Sequence, residues 1–230
     1  MSARAAPRTA GYAATRDRVE DYFDRTATQA WARLTSDAPV SRIRRTVRAG
    51  RDRMRALMLS RLPADLSGRR VLDAGCGTGT MTAELAARGA EVVAVDLSPA
   101  LVGMARARLP ATLAPRVTFR AGDMTDPALG RFDHVVAMDS LIYYAAPDLA
   151  PVLDGLAGRT GTSLVFTVAP RTPLLLAFWG IGRLFPRADR SPVMVPQTPR
   201  DIAARVAGRL TRAGRVASGF YIAECLEIAP

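Results

Sequence analysis

The chain has 230 residues, of which 49% are hydrophobic and 23% are charged, a balance typical of one folded domain with an added arm or cap. Its formal net charge is +11, and all 32 of its Lys and Arg residues are arginine, so we expect affinity for anionic partners. The longest apolar stretch, Leu174–Gly182, is too short to span a bilayer. Composition therefore argues against an integral membrane protein.

The N-terminus and the cysteines indicate the compartment. Residues Met1–Thr15 contain arginine and alanine but no apolar segment of the kind a secretory signal needs, and we expect them to be frayed. Cys76 and Cys225 lie far apart in the sequence, which favours reduced thiols in a reducing environment. The sequence therefore predicts a cytoplasmic protein.

Two helices are predicted before residue 60. The first begins at Arg16 and places Val19, Tyr22 and Phe23 on one face. The second begins near Ser41 and carries an apolar stripe with arginines on its other faces, formed by Ile43, Val47, Met54, Leu57 and Met58. We interpret residues 1–60 as a helical arm that caps a domain spanning residues 61–230.

After the arm, short apolar runs alternate with helical patterns. The helices are predicted at Thr80–Arg88, Pro99–Leu109 and Leu149–Ala157. The strands are predicted at Arg70–Asp73, Glu91–Val95, Val117–Ala121, Phe132–Met138 and Ser163–Val168. This alternation predicts an α/β fold with a doubly wound parallel sheet.

The alternation of strands and helices is interrupted by an insert over residues 170–198, which is rich in proline and follows the fifth strand. A helix is predicted at Asp201–Leu210, preceded by Thr198 and Pro199 as helix-starting residues. Two closing strands follow, at Arg215–Ala217 and Phe220–Ile228. The expected result is a Rossmann-like sheet of seven strands, with the last strand antiparallel.

A glycine-rich loop joins the first strand to the next helix. Its sequence is Asp-x-Gly-x-Gly-x-Gly, running from Asp73 to Gly79. Glycines let the backbone turn sharply and approach a ligand closely, and the following helix offers unpaired N–H groups. The dinucleotide fingerprint would require glycine where this chain has Thr80, so the loop argues against a nicotinamide dehydrogenase.

Two further acids follow the next two strands. Asp96 ends the second strand, where a carboxylate can accept both ribose hydroxyls of a nucleoside. Asp123 follows the third strand, where a carboxylate would face an adenine ring. Each acid taken singly is as readily a helix cap or a turn residue. Together, at the carboxyl ends of successive strands, they favour a nucleoside site.

Over Arg70–Val168 this pattern resembles the class I methyltransferases, which use S-adenosylmethionine and release S-adenosylhomocysteine. The resemblance implies that Asp73 and the loop residues Ala74, Gly75, Cys76 and Gly77 hold the methionine part of the cofactor. It further implies that Asp96 binds the ribose, Leu97 packs on the adenine, Asp123 and Met124 bind the adenine edge, and Met138 and Asp139 lie near the sulfonium and the substrate.

The flanking segments resemble a particular branch, the magnesium protoporphyrin O-methyltransferases. The similar stretches are Val19–Leu34, Arg48–Arg51, Met138–Tyr144, Ile181–Pro186 and Gly219–Glu227. One position departs from the family, because Tyr143 stands where members often carry histidine. Tyr22 and Tyr143 are the candidates for catalytic positioning. We expect no metal ligand, and His134, within a predicted strand, is interpreted as structural.

The resemblance implies methyl transfer to one propionate of Mg-protoporphyrin IX, giving its monomethyl ester in chlorophyll and bacteriochlorophyll synthesis. A propionate is already ionised near neutral pH, so the reaction needs no general base. A propionate is suited to bidentate binding by arginine, and the candidates are the arginines on the helix at Arg42–Arg55 and in the insert. The resemblance also implies contact with the large subunit of magnesium chelatase, which supplies the substrate. Peripheral contact with the photosynthetic membrane is left open by the arginines that flank the apolar insert.

Other functions remain open at this point. A methyltransferase for another small substrate, such as a quinone precursor, would share the same cofactor loop. So would a regulator that binds S-adenosylmethionine without catalysis. The positive charge suggests an RNA methyltransferase, but the chain has no pattern of interleaved aromatic and basic residues for base stacking, and we expect no nucleic-acid partner.

Overall fold

A computed structural model describes residues 9–26, 42–172 and 192–229. The helices in these ranges are α1 (Ala10–Asp21), α2 (Arg42–Leu59), α3 (Thr80–Ala87), α4 (Pro99–Arg108), α5 (Ala146–Ala157) and α6 (Pro199–Ala203). The strands are β1 (Arg70–Ala74), β2 (Glu91–Asp96), β3 (Val117–Ala121), β4 (Phe132–Ala137), β5 (Thr160–Val168), β6 (Arg209–Ser218) and β7 (Tyr221–Ala229). A π-helical turn, Tyr22–Thr26, follows α1.

The seven strands form one sheet in the order β3-β2-β1-β4-β5-β7-β6. Strands β1 to β5 are parallel, and β7 runs antiparallel to both of its neighbours. This confirms the predicted Rossmann-like sheet with an antiparallel last strand. The chain order reverses between β1 and β4, so the carboxyl ends of these two strands flank the crevice where such sheets bind ligands.

The central strands are buried on both faces. In β1, Leu72 packs into one apolar cluster with α5, while Val71 packs into another with α2 and α3. Successive side chains of a strand point to opposite faces, so the same five-residue strand supplies both cores. The sheet is therefore covered by helices on two sides, as parallel sheets require.

Helix α2 lies across β6 and β7. Three residues of the predicted apolar stripe lie in or against the core, because Met54 and Met58 have no exposed surface and Leu57 packs at the edge of the same cluster. Val47 is half-buried. The helix thus contributes directly to the core of the sheet domain, and the predicted domain division at residue 60 stays a prediction.

The N-terminal prediction was wrong in its starting point. Helix α1 begins at Ala10, with the hydroxyl of Thr9 accepting the N–H of Tyr12 at 3.0 Å. Tyr12 is 1% exposed and stacks on Tyr144 with ring centroids 4.9 Å apart. This burial orders a stretch that looks frayed in sequence, because the stabilising partner lies far away in the chain.

The predicted helix at Asp201–Leu210 was also wrong in its second half. Helix α6 ends at Ala203, and β6 already begins at Arg209. A Cβ at Gly208 would lie 2.5 Å from Cγ2 of Ile228, so the backbone comes close to β7 at this point. Strand pairing therefore overrides the local helical pattern.

The insert over residues 170–198 is described only at its two ends. Pro170 forms a parallel bridge with Gln197, and the N–H of Val195 donates to the carbonyl of Ile142 at 2.8 Å. Both ends therefore lie beside the loop after β4. The apolar stretch and the arginines predicted within the insert lie outside the described residues, as does the arm around Trp31.

No helix in the described ranges is long and apolar enough to cross a bilayer.

Substitution of Met58 tests whether α2 is part of the core. Met58→Ala should lower the free energy of unfolding by about 2–5 kcal/mol, because it leaves a cavity under the sheet. The measurement is urea unfolding followed by circular dichroism. Arg45→Ala, at an exposed position on the same helix, should change stability by less than about 0.5 kcal/mol. Unchanged stability of the Met58 variant would mean that the arm folds apart from the sheet.

Candidate active site

The glycine loop turns sharply at the carboxyl end of β1. The loop glycines Gly75, Gly77 and Gly79 have φ values of 86°, 53° and 83°, which residues other than glycine rarely adopt. A Cβ at Gly75 would lie 2.3 Å from Cβ of Ser140. The Ser140 hydroxyl donates to the carbonyl of Ala74 at 2.7 Å. The loops after β1 and β4 are therefore in direct contact at this glycine.

Asp73 lies beneath the loop with 1% of its surface exposed. Its carboxylate accepts the hydroxyl of Thr82 at 2.6 Å. Burial raises the pKa of Asp73 from 3.8 to about 7, since the charged form is poorly solvated there. A cationic group bound beside this carboxylate would stabilise its charged form.

Asp96 closes the loop from β2. One of its oxygens accepts the N–H of Gly77 at 2.8 Å, and the other accepts the N–H of Ser98 at 3.0 Å. Burial raises the pKa of Asp96, and the backbone N–H donors act in the opposite direction. Asp24 of the π-helical turn accepts the hydroxyl of Ser98 at 3.0 Å, so the arm contacts the same loop.

Asp123 is held by the arm. Oδ1 of Asp123 accepts the hydroxyl of Tyr12 at 2.8 Å and the N–H of Thr125 at 2.8 Å. Arg16 lies 3.5 Å from Oδ2. The neighbours Gly122 and Met124 line the adjacent cleft, whereas Asp123 contacts the arm. The predicted contact of Asp123 with adenine stays a prediction.

A cleft opens at these strand ends. Its wall combines glycine backbone, buried carboxylates and apolar side chains. It includes the predicted site residues Asp73, Gly75, Cys76, Gly77, Asp96, Leu97, Met124, Met138, Asp139 and Tyr143. Of the other predicted residues, Ala74 is buried beneath the loop, and its carbonyl accepts Ser140.

Asp139 follows β4 in an unusual conformation, with φ of 56°. For a residue with a side chain this backbone costs about 1–3 kcal/mol and persists only where contacts hold it. Its N–H donates to the hydroxyl of Thr167 at 2.7 Å, and its carboxylate pairs with Arg51. Tyr221 donates to the same carboxylate at 3.0 and 3.3 Å.

The two tyrosines predicted for catalysis are placed differently. Tyr143 lines the cleft, and its ring meets Phe23 edge to face with centroids 6.1 Å apart. Burial raises the pKa of Tyr143 above its usual value, so the phenol stays protonated and can donate a hydrogen bond. Tyr22 lies beside Phe23, with centroids 5.1 Å apart, and is not part of the cleft wall.

Several residues of the site were missed by sequence reasoning. The sequence indicated the arginines of the helix at Arg42–Arg55 as candidate partners for the propionate without singling one out, and the structure places Arg51 and Arg55 of that helix in the cleft wall. Tyr221 and Thr167 reach Asp139 from distant strands, and no local pattern indicates that contact. His134 lies in β4 as predicted, 3% exposed, with Nδ1 2.8 Å from the Ser163 hydroxyl.

Two family models match this chain. Residues 71–159 match the model described as a methyltransferase domain. Residues 137–230 match the model described as the magnesium-protoporphyrin IX methyltransferase C-terminus. The two models together span the glycine loop, the loop after β4 and the closing strands.

Individual relatives extend this likeness to nearly the whole chain. The magnesium-protoporphyrin O-methyltransferase of Rhodobacter capsulatus is 61% identical, over 95% of this chain and 98% of the relative. The enzyme of the same name from Synechocystis sp. is 30% identical, over 91% of this chain and 94% of the relative.

A solved structure shows the same architecture. The crystal structure of magnesium protoporphyrin IX methyltransferase from Synechocystis PCC 6803 with bound SAH has a TM-score of 0.77 and 28% identity. The likeness covers 93% of this chain and 98% of that one. The chain therefore belongs to the magnesium-protoporphyrin O-methyltransferase family, as its glycine loop and flanking segments predict.

Proposed function

We propose that this chain transfers a methyl group from S-adenosylmethionine to a propionate carboxylate of Mg-protoporphyrin IX. The products are the monomethyl ester and S-adenosylhomocysteine, and the reaction belongs to chlorophyll and bacteriochlorophyll synthesis. The observation that carries this proposal is the 61% identity to the Rhodobacter capsulatus enzyme over 95% of the chain.

The cleft fits the cofactor chemically. A Cβ at Gly75 would overlap Ser140, so only glycine at this position allows the loop after β1 to lie against the loop after β4 in the cleft wall. Asp73 supplies a buried carboxylate suited to a cationic methionine group, and Asp96 supplies acceptors for ribose hydroxyls. Leu97 and Met124 offer apolar surface for the adenine ring.

The remaining predicted cofactor contacts are proposals of the same kind. Ala74, Cys76 and Gly77 would contact the methionine part, and Asp123 would contact the adenine edge. Met138 and Asp139 would lie near the sulfonium. When bound, the cofactor supplies an electrophilic methyl group on a positively charged sulfur.

The main requirement of this reaction is that the protein aligns the two reactants. The carboxylate oxygen attacks the methyl carbon while the carbon–sulfur bond breaks, and no proton moves. Alignment of the two reactants can contribute about 7–11 kcal/mol. Two opposite charges disappear in the reaction, so a cleft that excludes water favours it. Phe23 and Tyr143, which are both half-buried, supply aromatic surface there.

Tyr143 has a limited part in this scheme. Its phenol remains neutral because burial raises its pKa. It would position the substrate carboxylate by donating a hydrogen bond, where family members often have histidine. Tyr22 would act through its contact with Phe23, which itself lines the cleft.

The proposal extends to partners and location. We propose that the chain works in the cytoplasm and receives its porphyrin from the large subunit of magnesium chelatase. The net charge of +11 favours peripheral contact with an anionic photosynthetic membrane. Co-sedimentation with anionic vesicles, lost at high salt, is the measurement for the membrane contact.

An assay with labelled S-adenosylmethionine tests the function. Purified protein should transfer label to Mg-protoporphyrin IX and release S-adenosylhomocysteine, with a single methyl ester formed per porphyrin. Metal-free protoporphyrin IX and a catechol-type quinone precursor serve as comparison acceptors. The measurement is mass spectrometry of the porphyrin product.

The outcomes of this assay separate the alternatives. Methylation of the quinone precursor instead of the porphyrin would identify a different small-molecule methyltransferase. Cofactor binding by calorimetry without transfer to any acceptor would indicate a regulator. Either result would reject the porphyrin assignment.

The pKa of Asp73 predicts how cofactor affinity depends on pH. A cationic group beside Asp73 favours the charged carboxylate, so binding must displace its proton below about pH 7. The dissociation constant for S-adenosylmethionine should therefore rise about eightfold between pH 7.5 and pH 6. The measurement is titration calorimetry at both pH values.

Asp73→Asn is the matched variant for that measurement. It retains a polar side chain near Thr82 but does not titrate in this pH range. Its affinity should be weaker and nearly independent of pH over this interval. Equal pH dependence in the variant and the parent protein would show that another group titrates.

A further inference from the structure

Three separate elements converge on the carboxylate of Asp139. Arg51 reaches it from α2, Tyr221 from β7 and Thr167 from β5. The side chain of Arg51 is 16% exposed and that of Asp139 is 6% exposed. Both Arg51 and Asp139 line the cleft together with Asp73 and Gly75. The network is therefore part of the wall that faces the ligand.

The backbone is shaped to allow this convergence. A Cβ at Gly50 would lie 2.7 Å from Cδ1 of Tyr221, so α2 approaches β7 only because residue 50 has no side chain. Gly219 allows a second close approach, since its Cβ would lie 2.3 Å from the hydroxyl oxygen of Thr46. Arg51, directly after Gly50, is thereby held at a fixed distance from the loop after β4.

A buried ion pair contributes little to stability in itself, because desolvation offsets most of the attraction. Three neighbours nevertheless hold Asp139 in a conformation that is unfavourable for its backbone. Such conformations concentrate at functional sites. The arrangement is better explained as a device that orients the Arg51 guanidinium within the cleft.

The guanidinium has the right chemistry for a carboxylate substrate. It carries five N–H donors in a planar fork, which is enough to pair with two carboxylates at different edges. It matches a carboxylate in a bidentate manner that lysine cannot reproduce. Arg55, the other cleft arginine, pairs with Asp52 at 2.8 Å and Glu84 at 2.6 Å on the exposed side.

We propose that Arg51 binds the propionate carboxylate that receives the methyl group, and that Asp139, Tyr221 and Thr167 are positioning residues that aim it. This inference rests on the proposed function, because it names the residue that holds that substrate. Asp139 also neutralises the guanidinium charge. The substrate carboxylate then keeps more of its nucleophilic character, and the cleft gains no net positive charge to repel a sulfonium.

Two variants test whether Arg51 binds the substrate carboxylate. Arg51→Gln and Arg51→Lys should each raise KM for Mg-protoporphyrin IX, by about 10- to 100-fold for the glutamine variant and by less for the lysine variant. Affinity for S-adenosylmethionine, measured by calorimetry, should change less than about threefold. Arg53→Ala is the matched control on the same helix, since Arg53 is exposed and bonds to the carbonyl of Ala217.

A second readout distinguishes binding from a general structural effect. The dimethyl ester of Mg-protoporphyrin IX carries no free carboxylate and serves as a competing ligand, measured by fluorescence quenching. The parent protein should bind the diacid more tightly than the ester. Arg51→Gln should lose that preference, while its thermal unfolding stays close to that of the parent protein.

Substitution of the positioning residues should give a different kinetic pattern. Tyr221→Phe removes only a hydroxyl, and Asp139→Asn removes only a charge. Each should lower kcat about tenfold or more with little change in KM for the porphyrin, because the carboxylate still binds but is poorly aimed. If the substitutions only reduced the fraction of folded protein, total activity would fall, but kcat per folded molecule would stay unchanged.

The outcomes separate this inference from the proposed function. If the parent protein fails to methylate Mg-protoporphyrin IX, the proposed function is wrong. If the parent methylates it and Arg51→Gln keeps both the parental KM and the preference for the diacid, the assignment of Arg51 is wrong. If Tyr221→Phe and Asp139→Asn retain the parental kcat, the positioning role is wrong.

Discussion

The contact between the loops after β1 and β4 is the constraint on which the rest of the site depends. Residue 75 must lack a side chain, because a Cβ there would overlap Ser140. The contact brings the glycine loop and Asp139 to the same crevice, at the point where the strand order reverses. The glycine loop and the loop after β4 are thereby placed together by one close approach.

The arm is connected to this crevice through specific polar contacts. Tyr12 donates to Asp123 after β3, and Asp24 accepts from Ser98 after β2. Both contacts reach loops that follow the strands predicted to flank the nucleoside. The N-terminal helix and its π-helical turn therefore complete the wall of the cleft. Phe23 of the arm meets the ring of Tyr143 edge to face.

Helix α2 has two functions at once. Its inner face carries Met54 and Met58 into the core below the sheet, which fixes its position and its rotation about its own axis. The same rotation directs Arg51 toward Asp139. Burial of Met54 and Met58 thus determines the position of the Arg51 guanidinium in the cleft. The stability of the fold and the geometry of the site depend on one helix.

The sequence by itself determined the parallel sheet, its first five strands and the glycine loop, because these depend on local signals. Alternating apolar runs and helices specify a parallel sheet, and glycine spacing specifies the turn after β1. Only the tertiary structure decided the start of α1, the end of α6, and the network around Asp139. Those features depend on partners such as Tyr144, Ile228 and Tyr221, which are distant in the chain and leave no local pattern.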